Sequence, residues 1–409
     1  MERATAALPG GSTRSFGFWE PYPVVIDRAD GSRLVDVDGN SYIDLIYNGL
    51  SLIHGHAFPP VRRAIHAAMT RGSAWPGSSV EQIAFAEALR DRIACVDLVR
   101  FANTGTEAAM LAMKVARRAT GRPLVLKAWA GYHGSYDDLE AGLGGEGELP
   151  GRTLLATFGD AASFEAVLAE RGHEIAAVVL EPVMFTGIVV PPSPDFLERV
   201  QDAAHRAGAL FVIDDCLMFR LAHGGSAERF GLDPDLVFLG KFIGGGLPVG
   251  AVGGRKDVMQ VLDPRWEGHL YHGGSFNGNL LGSVAGLATL EHLTAQAISD
   301  MDTRTSALRE GLVAAARAVG LPASVAGVGS AFGFYLAPEV PDPIESRPDA
   351  VLASRLHVAA LNRGVYMGSG GEIALATVVD DETLAEILER LADALADVAA
   401  NERVVEGVV

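Results

Sequence analysis

Lys241 ends a short apolar run, Leu236-Val-Phe-Leu-Gly240, and is followed by glycines at positions 244, 245, 246, 250, 253 and 254. A β-type run that delivers one lysine to its end presents an amine able to condense with a carbonyl group. The glycines mark places where the backbone turns tightly or passes close to a ligand. A lone lysine in such a setting reads equally as a surface residue beside a flexible loop. Its partners elsewhere in the chain decide between the two.

Four such partners are present. Asn103-Thr104-Gly105-Thr106-Glu107 follows an apolar run and opens a stretch rich in Ala and Met. Helix-start amides and small hydroxyls there form either an anion site suited to a phosphate or an ordinary capping turn. Walker and dinucleotide glycine spacings are lacking, so a nucleotide is the weaker reading. Tyr132, in Ala130-Gly-Tyr-His-Gly134, is placed to stack on a planar ring or to fill a core. Asp214 and Asp215 end the run 210–213. A carboxylate there can hold a heterocyclic nitrogen protonated, and the competing role of magnesium ligand wants more acidic neighbours. His272-Gly-Gly-Ser275-Phe-Asn277 supplies a further small-hydroxyl turn. Each group calls for a different chemistry, and together they outweigh the structural readings of each alone. His54-Gly55-His56 lacks a Cys or carboxylate cluster, so packing or hydrogen bonding is preferred to a metal.

The elements that must position these residues alternate. Strand-like runs at Leu98–Ala102, Leu124–Ala128, 177–180, 210–213 and Leu236–Leu239 are separated mostly by helical stretches. Such alternation predicts a mostly parallel sheet covered by helices on both faces, with ligands at the carboxyl ends of the strands. One helix is marked by Ser193 as N-cap, Pro194 at its first position and Gly208 at its stop. Residues 32–47 read as a small meander around Asp38-Gly39-Asn40, and a helix is expected over 59–69. Long amphipathic helices near 294–319 and 382–400, with a few short strands, predict a smaller α+β domain completed by the N-terminal meander. The expected division is 1–57 joining the small domain, 58–290 large, and 291–409 the rest of the small domain. The loop 337–349, rich in Pro and acidic residues, is the expected mobile insertion.

With 409 residues, of which 49% are hydrophobic, the chain can fill two or more cores. No apolar run reaches the roughly 18 residues of a membrane helix. A formal charge of −18 argues against nucleic acid or an anionic membrane as partner, though not against a small anion held by one or two arginines. Two cysteines, and a start lacking the pattern of an export signal, point to a reducing cytoplasm. Arg14 stands in a turn-rich aromatic segment with Phe18, Trp19 and Tyr22. It can clamp a carboxylate or lie exposed, and the aromatics suit an apolar pocket or interface packing.

This set resembles the class III (fold type I) pyridoxal-phosphate aminotransferases, in the branch of glutamate-1-semialdehyde aminomutases and β-amino-acid aminotransferases. The resemblance spans nearly the whole chain: Asp36-Val-Asp-Gly-Asn40, Leu52-Ile-His-Gly-His56, Asn103 to Glu107, Tyr132-His133-Gly134, Glu181-Pro182, Asp214-Asp215, Gly240-Lys241 and Gly274-Ser275-Phe276. It implies pyridoxal 5'-phosphate as cofactor, with Lys241 as the aldimine lysine and proton shuttle and Asp214 paired with the pyridinium. It also implies Thr104, Gly105 and Thr106 at the phosphate, Tyr132 stacked on the ring, and Cys216 packed on the opposite face. Ser275 stands where the family has a threonine reaching the neighbouring subunit's phosphate, which implies a homodimer with shared sites.

Two departures bear on substrate. The usual Asp-Glu pair is Asp214-Asp215, and Gly370 stands where several relatives carry an arginine for an α-carboxylate. Arg14 falls where β-amino-acid aminotransferases of this branch place a carboxylate-binding arginine. The resulting expectation is ping-pong amino transfer between a β-amino acid or non-α amine and a keto acid, with Arg14, Trp19 and Gly370 at the substrate. A 2,1-aminomutase is the alternative. Racemases and decarboxylases share the fold, and a retired scaffold that only binds a phosphorylated ligand or a partner is the rival from another class.

Overall fold

The computed structural model describes residues 2–14, 18, 19, 22–143, 151–342 and 349–406. In chain order the strands are β1 (Ile26–Asp30), β2 (Arg33–Asp36), β3 (Ser41–Asp44), β4 (Leu98–Ala102), β5 (Leu124–Ala128), β6 (Thr153–Ala156) and β7 (Ile175–Leu180). They continue as β8 (Leu210–Asp214), β9 (Leu236–Leu239), β10 (Gly250–Gly254), β11 (Ser324–Val328), β12 (Ala331–Tyr335), β13 (Val365–Tyr366) and β14 (Glu372–Ala374). The large sheet runs β4-β10-β9-β8-β7-β5-β6. β9, β8, β7, β5 and β6 are mutually parallel, whereas β10 is antiparallel to both its neighbours.

Alternation along the central strands assigns each side chain to one of two helical layers. Phe211 and Ile213 of β8 pack with Phe164, Phe196 and Val200, whereas Val212 packs with Ala108, Ala112 and Val115. β9 repeats the division, Val237 and Leu239 to the first layer, Leu236 and Phe238 to the second. The second layer is led by the helix Gly105–Thr120. It starts on the N-cap Thr104 and stops at Gly121, whose φ of 71° is left-handed. Its buried face carries four alanines, at 108, 109, 112 and 116, small enough to bring the helix axis close to the sheet.

Most of the expected elements form where the sequence places them, and the exceptions have identifiable causes. The helix Pro59–Met69 and the strands Leu98–Ala102, Leu124–Ala128 and Leu236–Leu239 match their expected bounds. The expected N-cap Ser193 is a correction: the helix is Phe196–Arg206, with Asp195 before it at φ 60°, and the Ser193 hydroxyl instead donates to Gly159 O at 3.0 Å. Gly208 does lie past the stop, at φ 67°. Glycines 250, 253 and 254, read as turn or ligand-approach residues, lie in β10 inside the sheet. β6 completes the far edge and was not expected.

The chain's two ends meet in a second body. β1-β2-β3-β13 form one sheet, in which β13 pairs in parallel with β3 (Val365 with Ile43, Tyr366 with Asp44), and β11-β12-β14 form another. Ile43, Phe332, Val365 and Ile373 share a core with Leu308 and Leu312 of the helix Ala295–Ala318, Leu356 of Ala350–Asn362, and Ile387, Leu391 and Leu395 of Asp381–Glu406. Residues 343–348 of the expected mobile insertion lie outside the described residues. Among the described residues no helix is long and apolar enough to cross a membrane.

The glycines of β10 are required by a neighbouring backbone. A Cβ on Gly250 would lie 2.1 Å from Thr104 O. Gly250→Ala is therefore expected to cost about 1–3 kcal/mol, because strand and N-cap cannot both hold their positions. A thermal melt of the holoenzyme should show a lower transition, and an unchanged melt would mean that β10 is free to shift.

Candidate active site

The carboxyl ends of β4, β8 and β9 converge at backbone contact distance. A Cβ on Gly240, the residue after β9, would meet Gly105 Cα at 3.0 Å and Cys216 Sγ at 3.2 Å; one on Gly105 would meet the same sulfur at 2.9 Å. The helix start after β4, the lysine after β9 and the loop after β8 are thus one cluster. Lys241 has φ 54°, a left-handed conformation that costs a non-glycine residue roughly 1–2 kcal/mol. Strain of this kind persists only where surrounding packing over-determines it, and such residues concentrate at functional sites. Gly240 and Phe242 on either side are buried, so the lysine has little freedom to relax.

At the helix start, Thr104 Oγ1 accepts the Glu107 N–H at 3.0 Å, so this hydroxyl is engaged as a cap. Glu107 Oε2 in turn accepts the Asn103 N–H at 2.8 Å. The Gly105 and Thr106 amides belong to the first helical turn, where no carbonyl lies one turn back to receive them. They form an anion cradle. The loop after β5 closes its side: Ser135 N–H donates to Thr106 Oγ1 at 3.3 Å, and Gly134, at φ 99°, is tight enough against Thr106 that a Cβ would lie 2.4 Å from Oγ1.

That loop also joins the acids. His133 Nδ1 bonds Asp214 Oδ2 at 2.9 Å, while Asp214 Oδ1 accepts the Cys216 N–H at 3.1 Å. His133 is buried, its Nε2 has no partner among the described residues, and burial lowers its basicity against the pull of Asp214. Tyr132 N–H donates to Glu181 Oε1 at 2.9 Å. Burial, then the charge of Asp214, push the Glu181 carboxyl upward, with Lys241 pulling the other way. Burial and Asp214 likewise push the Cys216 thiol well up, so it stays a thiol and packs as an apolar group.

The structure therefore brings Thr104, Gly105, Thr106, Tyr132, Asp214, Cys216 and Lys241 together. Glu181 and His133 join them without having been assigned a role from the sequence. For Glu181 the signal was available, since it directly follows β7 much as Asp214 ends β8. Pyridoxal phosphate fits this donor set: an anion cradle of amides, a buried carboxylate held by a histidine, an aromatic on the β5 loop and a strained lysine.

The other expected residues lie elsewhere. Ser275 is exposed, in a turn tied to the cradle through Asn277 Oδ1, which accepts from Asn103 Nδ2 at 2.8 Å; it lines a cavity of about 370 Å³ with Trp75, Ser79 and Gln82. Arg14 Nη1 donates to Asn48 Oδ1 at 2.5 Å. Trp19 packs edge-on against His357 and Tyr366, with ring centroids at 4.6 and 5.6 Å. At Gly370 a Cβ would lie 2.7 Å from Glu372 Oε1, and the Gly370 N–H donates to Glu372 Oε2 at 3.1 Å. The position holds a carboxylate rather than space, and burial raises that carboxyl. His54 and His56 bond Thr377, Thr289 O and Asp44.

Asp215, the shortened second carboxylate, is buried, with Oδ2 accepting the Ser226 N–H at 3.0 Å and Oδ1 without a partner among the described residues. Burial pushes it from 3.8 to about 7. Between those values the folded chain holds a proton that the unfolded chain has released, so stability from this group falls as pH rises through the window. The full effect is on the order of a few kcal/mol. Asp215→Asn keeps the group neutral. Its melting temperature relative to the parent should rise from about pH 5 to about pH 8; a parallel pH dependence would mean that Asp215 is ionised throughout.

The sequence model of the family "Aminotransferase class-III" matches residues 18–141 and 157–395. The chain is 40% identical over 388 residues to the glutamate-1-semialdehyde 2,1-aminomutase of Sorangium cellulosum (strain So ce56), covering 90% of this chain and 88% of that one. A transaminase solved with PLP bound superimposes with a TM-score of 0.92 at 32% identity, covering 98% and 97% of the two chains. The β-phenylalanine aminotransferase of Variovorax paradoxus does so at 0.90 and 32%, covering 98% and 93%. With sequence, sheet order and clustered site in agreement, the chain belongs to the class III aminotransferases, pyridoxal-phosphate-dependent enzymes of fold type I.

Proposed function

We propose that the protein moves an amino group on a carboxylated substrate, with Lys241 as the catalytic lysine. The observation that carries the reading is the strained Lys241 packed beside the anion cradle and the Asp214 carboxylate. The cofactor supplies an aldehyde for the amine and a pyridinium ring that draws electrons from the adjoining carbon. Asp214, oriented by His133 and the Cys216 amide, would keep the cofactor's ring nitrogen protonated. Gly105 and Thr106 hold the phosphate, with the Thr104 cap fixing their direction. Tyr132 and Cys216 would flank the ring, an aromatic and a buried thiol respectively. The Lys241 ε-amino group would hold the cofactor in the resting enzyme and, once released, would carry a proton between substrate carbon and cofactor. Glu181, kept largely protonated by burial, adds little negative charge beside Asp214.

The relatives near 40% identity favour the aminomutase form over transfer between two molecules. In that form the amine leaves one carbon and returns to the next in the same substrate. Transamination of a β-amino acid is the second reading, favoured by Arg14 and by the β-phenylalanine aminotransferase neighbour. In either form Arg14 grips the substrate carboxylate. We also propose a cytoplasmic homodimer in which Ser275 reaches the partner's phosphate; the exposed Tyr271 (84%) and Phe276 (62%) beside it support burial against a second copy.

Three measurements test this. Holoenzyme given glutamate-1-semialdehyde alone should form the 1-amino isomer without added acceptor; turnover of β-phenylalanine only when 2-oxoglutarate is present would establish transamination instead. Arg14→Ala should raise KM for the carboxylated substrate roughly ten- to hundredfold, the worth of a charge-assisted hydrogen bond, and equal KM values would remove Arg14 from the site. Light scattering of the purified protein should give twice the chain mass, and a monomer of full activity would exclude shared sites.

A further inference from the structure

We propose that Arg220 is a positioning residue that ties the loop carrying Asp214 to the second body, and so sets where the substrate-facing surface of that body stands over the cofactor site. The inference rests on the reading above in which the second body meets the substrate. It adds a residue that acts on the reaction without touching the reacting atoms.

The loop after β8 is wound tightly enough to transmit a displacement. Asp214 Oδ1 accepts the Cys216 N–H at 3.1 Å, Asp215 N–H donates to Phe238 O at 3.0 Å, and Phe219 N–H donates to Asp215 O at 3.2 Å. Met218–Leu221 follow as a short helical turn, all four residues buried. From that turn Arg220 reaches across to the second body. Its Nε donates to Ser330 Oγ at 2.8 Å, and its Nη2 donates to Leu375 O. Ser330 lies between β11 and β12, and Leu375 follows β14. These two residues are themselves joined, Leu375 N–H donating to Ser330 O at 3.0 Å. One guanidinium thus closes a ring with segments 110 and 155 positions along the chain.

The far end of the tie leads to the residues placed at the substrate above. Ala374 N–H, next to Leu375, donates at 2.7 Å to Leu45 O. Leu45 leads into the left-handed turn Tyr47–Leu50, with φ from 45° to 67°, where Asn48 receives Arg14. At its other end β14 begins with Glu372, which receives the Gly370 N–H. Leu50, Val183, Met218, Leu221, Ala331 and Ala374 fill the junction with apolar side chains.

Stability alone does not call for a charge here. Arg220 is 2% exposed, both its acceptors are neutral, and burial lowers it to about 10 against the pull of Asp302, so at neutral pH it is a buried cation. Buried ionic groups can often be replaced by apolar side chains of similar size without loss of stability. The planar fork of arginine gives what an apolar side chain cannot, donors fixed in direction toward two acceptors. Direction is what alignment needs, since a misplacement of about 1 Å can cost roughly a hundredfold in rate.

The test compares Ser330→Ala and Arg220→Lys with the parent holoenzyme; each spoils the fork while keeping the buried charge. Hydrogen–deuterium exchange, which needs no substrate, should rise in both segments that the tie joins, 214–221 and 372–377, and stay unchanged in β5 and β6. With the carboxylated substrate that the parent turns over, glutamate-1-semialdehyde or β-phenylalanine with 2-oxoglutarate, kcat should fall roughly tenfold. The reaction with hydroxylamine, which needs only the cofactor, should be unaltered. The double variant should fall no further than Arg220→Lys, because both changes act on one tie. Unchanged exchange in both variants overturns the inference. Raised exchange with kcat unchanged, or with an equal fall toward hydroxylamine, means that Arg220 only supports the fold or the cofactor loop, and overturns it too. A parent that turns over neither substrate refutes the function proposed above, and the tie then stands or falls on exchange alone.

Discussion

The structure depends on backbone meeting backbone where β4, β8 and β9 end. Gly105, Gly240 and Gly250 stand where a single methyl group would strike a neighbouring main chain or the Cys216 sulfur. Because none of the three carries a side chain, the helix start that can hold an anion lies within van der Waals reach of the lysine-bearing strand end. Interiors are packed at the density of organic crystals, so there is no slack by which a larger residue could be absorbed. The chemistry needs that proximity. An amine and an anion cradle several ångströms further apart could not serve one small cofactor.

Proximity creates an electrostatic problem, which the fold settles unequally among its acids. Asp214, Asp215 and Glu181 are all buried. Asp214 receives a backbone amide and a histidine ring, whereas Asp215 and Glu181 are pushed upward by burial. Several ionised carboxylates in one dry region would repel one another strongly, and burial is the largest cause of the upward push on Asp215 and Glu181. The shortening of the usual second carboxylate fits this pattern, since Gly225 stands 2.3 Å from Asp215 Oδ2, measured from where its Cβ would lie.

The second body supplies what the sheet ends lack. Its parallel pair β3 and β13 joins residues more than three hundred positions apart, and from that pair extend Tyr366, which receives Trp19, and the left-handed turn that receives Arg14. Gly370 and Glu372 belong to the same body, where the Glu372 carboxylate receives the Gly370 N–H. Substrate choice in this scheme is set by a surface that both chain ends must assemble. The cofactor cradle is built by consecutive strand ends of the sheet.

The amino-acid sequence by itself determined most of the sheet-and-helix alternation and the positions of Lys241, Asp214 and the Asn103–Glu107 helix start at the ends of strands. Each is written locally, as an apolar run of period two that ends in one chemically distinctive residue, and strand ends sit at one edge of a parallel sheet whatever the remaining details. Only the tertiary structure decided that glycines 250–254 form a strand inside that sheet, because their small size matters for backbones distant in sequence and the run itself looks like a loop. It alone decided that the helix after Ser193 begins at Phe196, that His133 steadies Asp214, that Glu372 fills the space at Gly370, and that Asn48 meets Arg14. Most of those outcomes rest on contacts between residues far apart in the chain, such as His133 with Asp214, 81 positions apart, and Arg14 with Asn48, 34 apart, and no local pattern encodes such a contact.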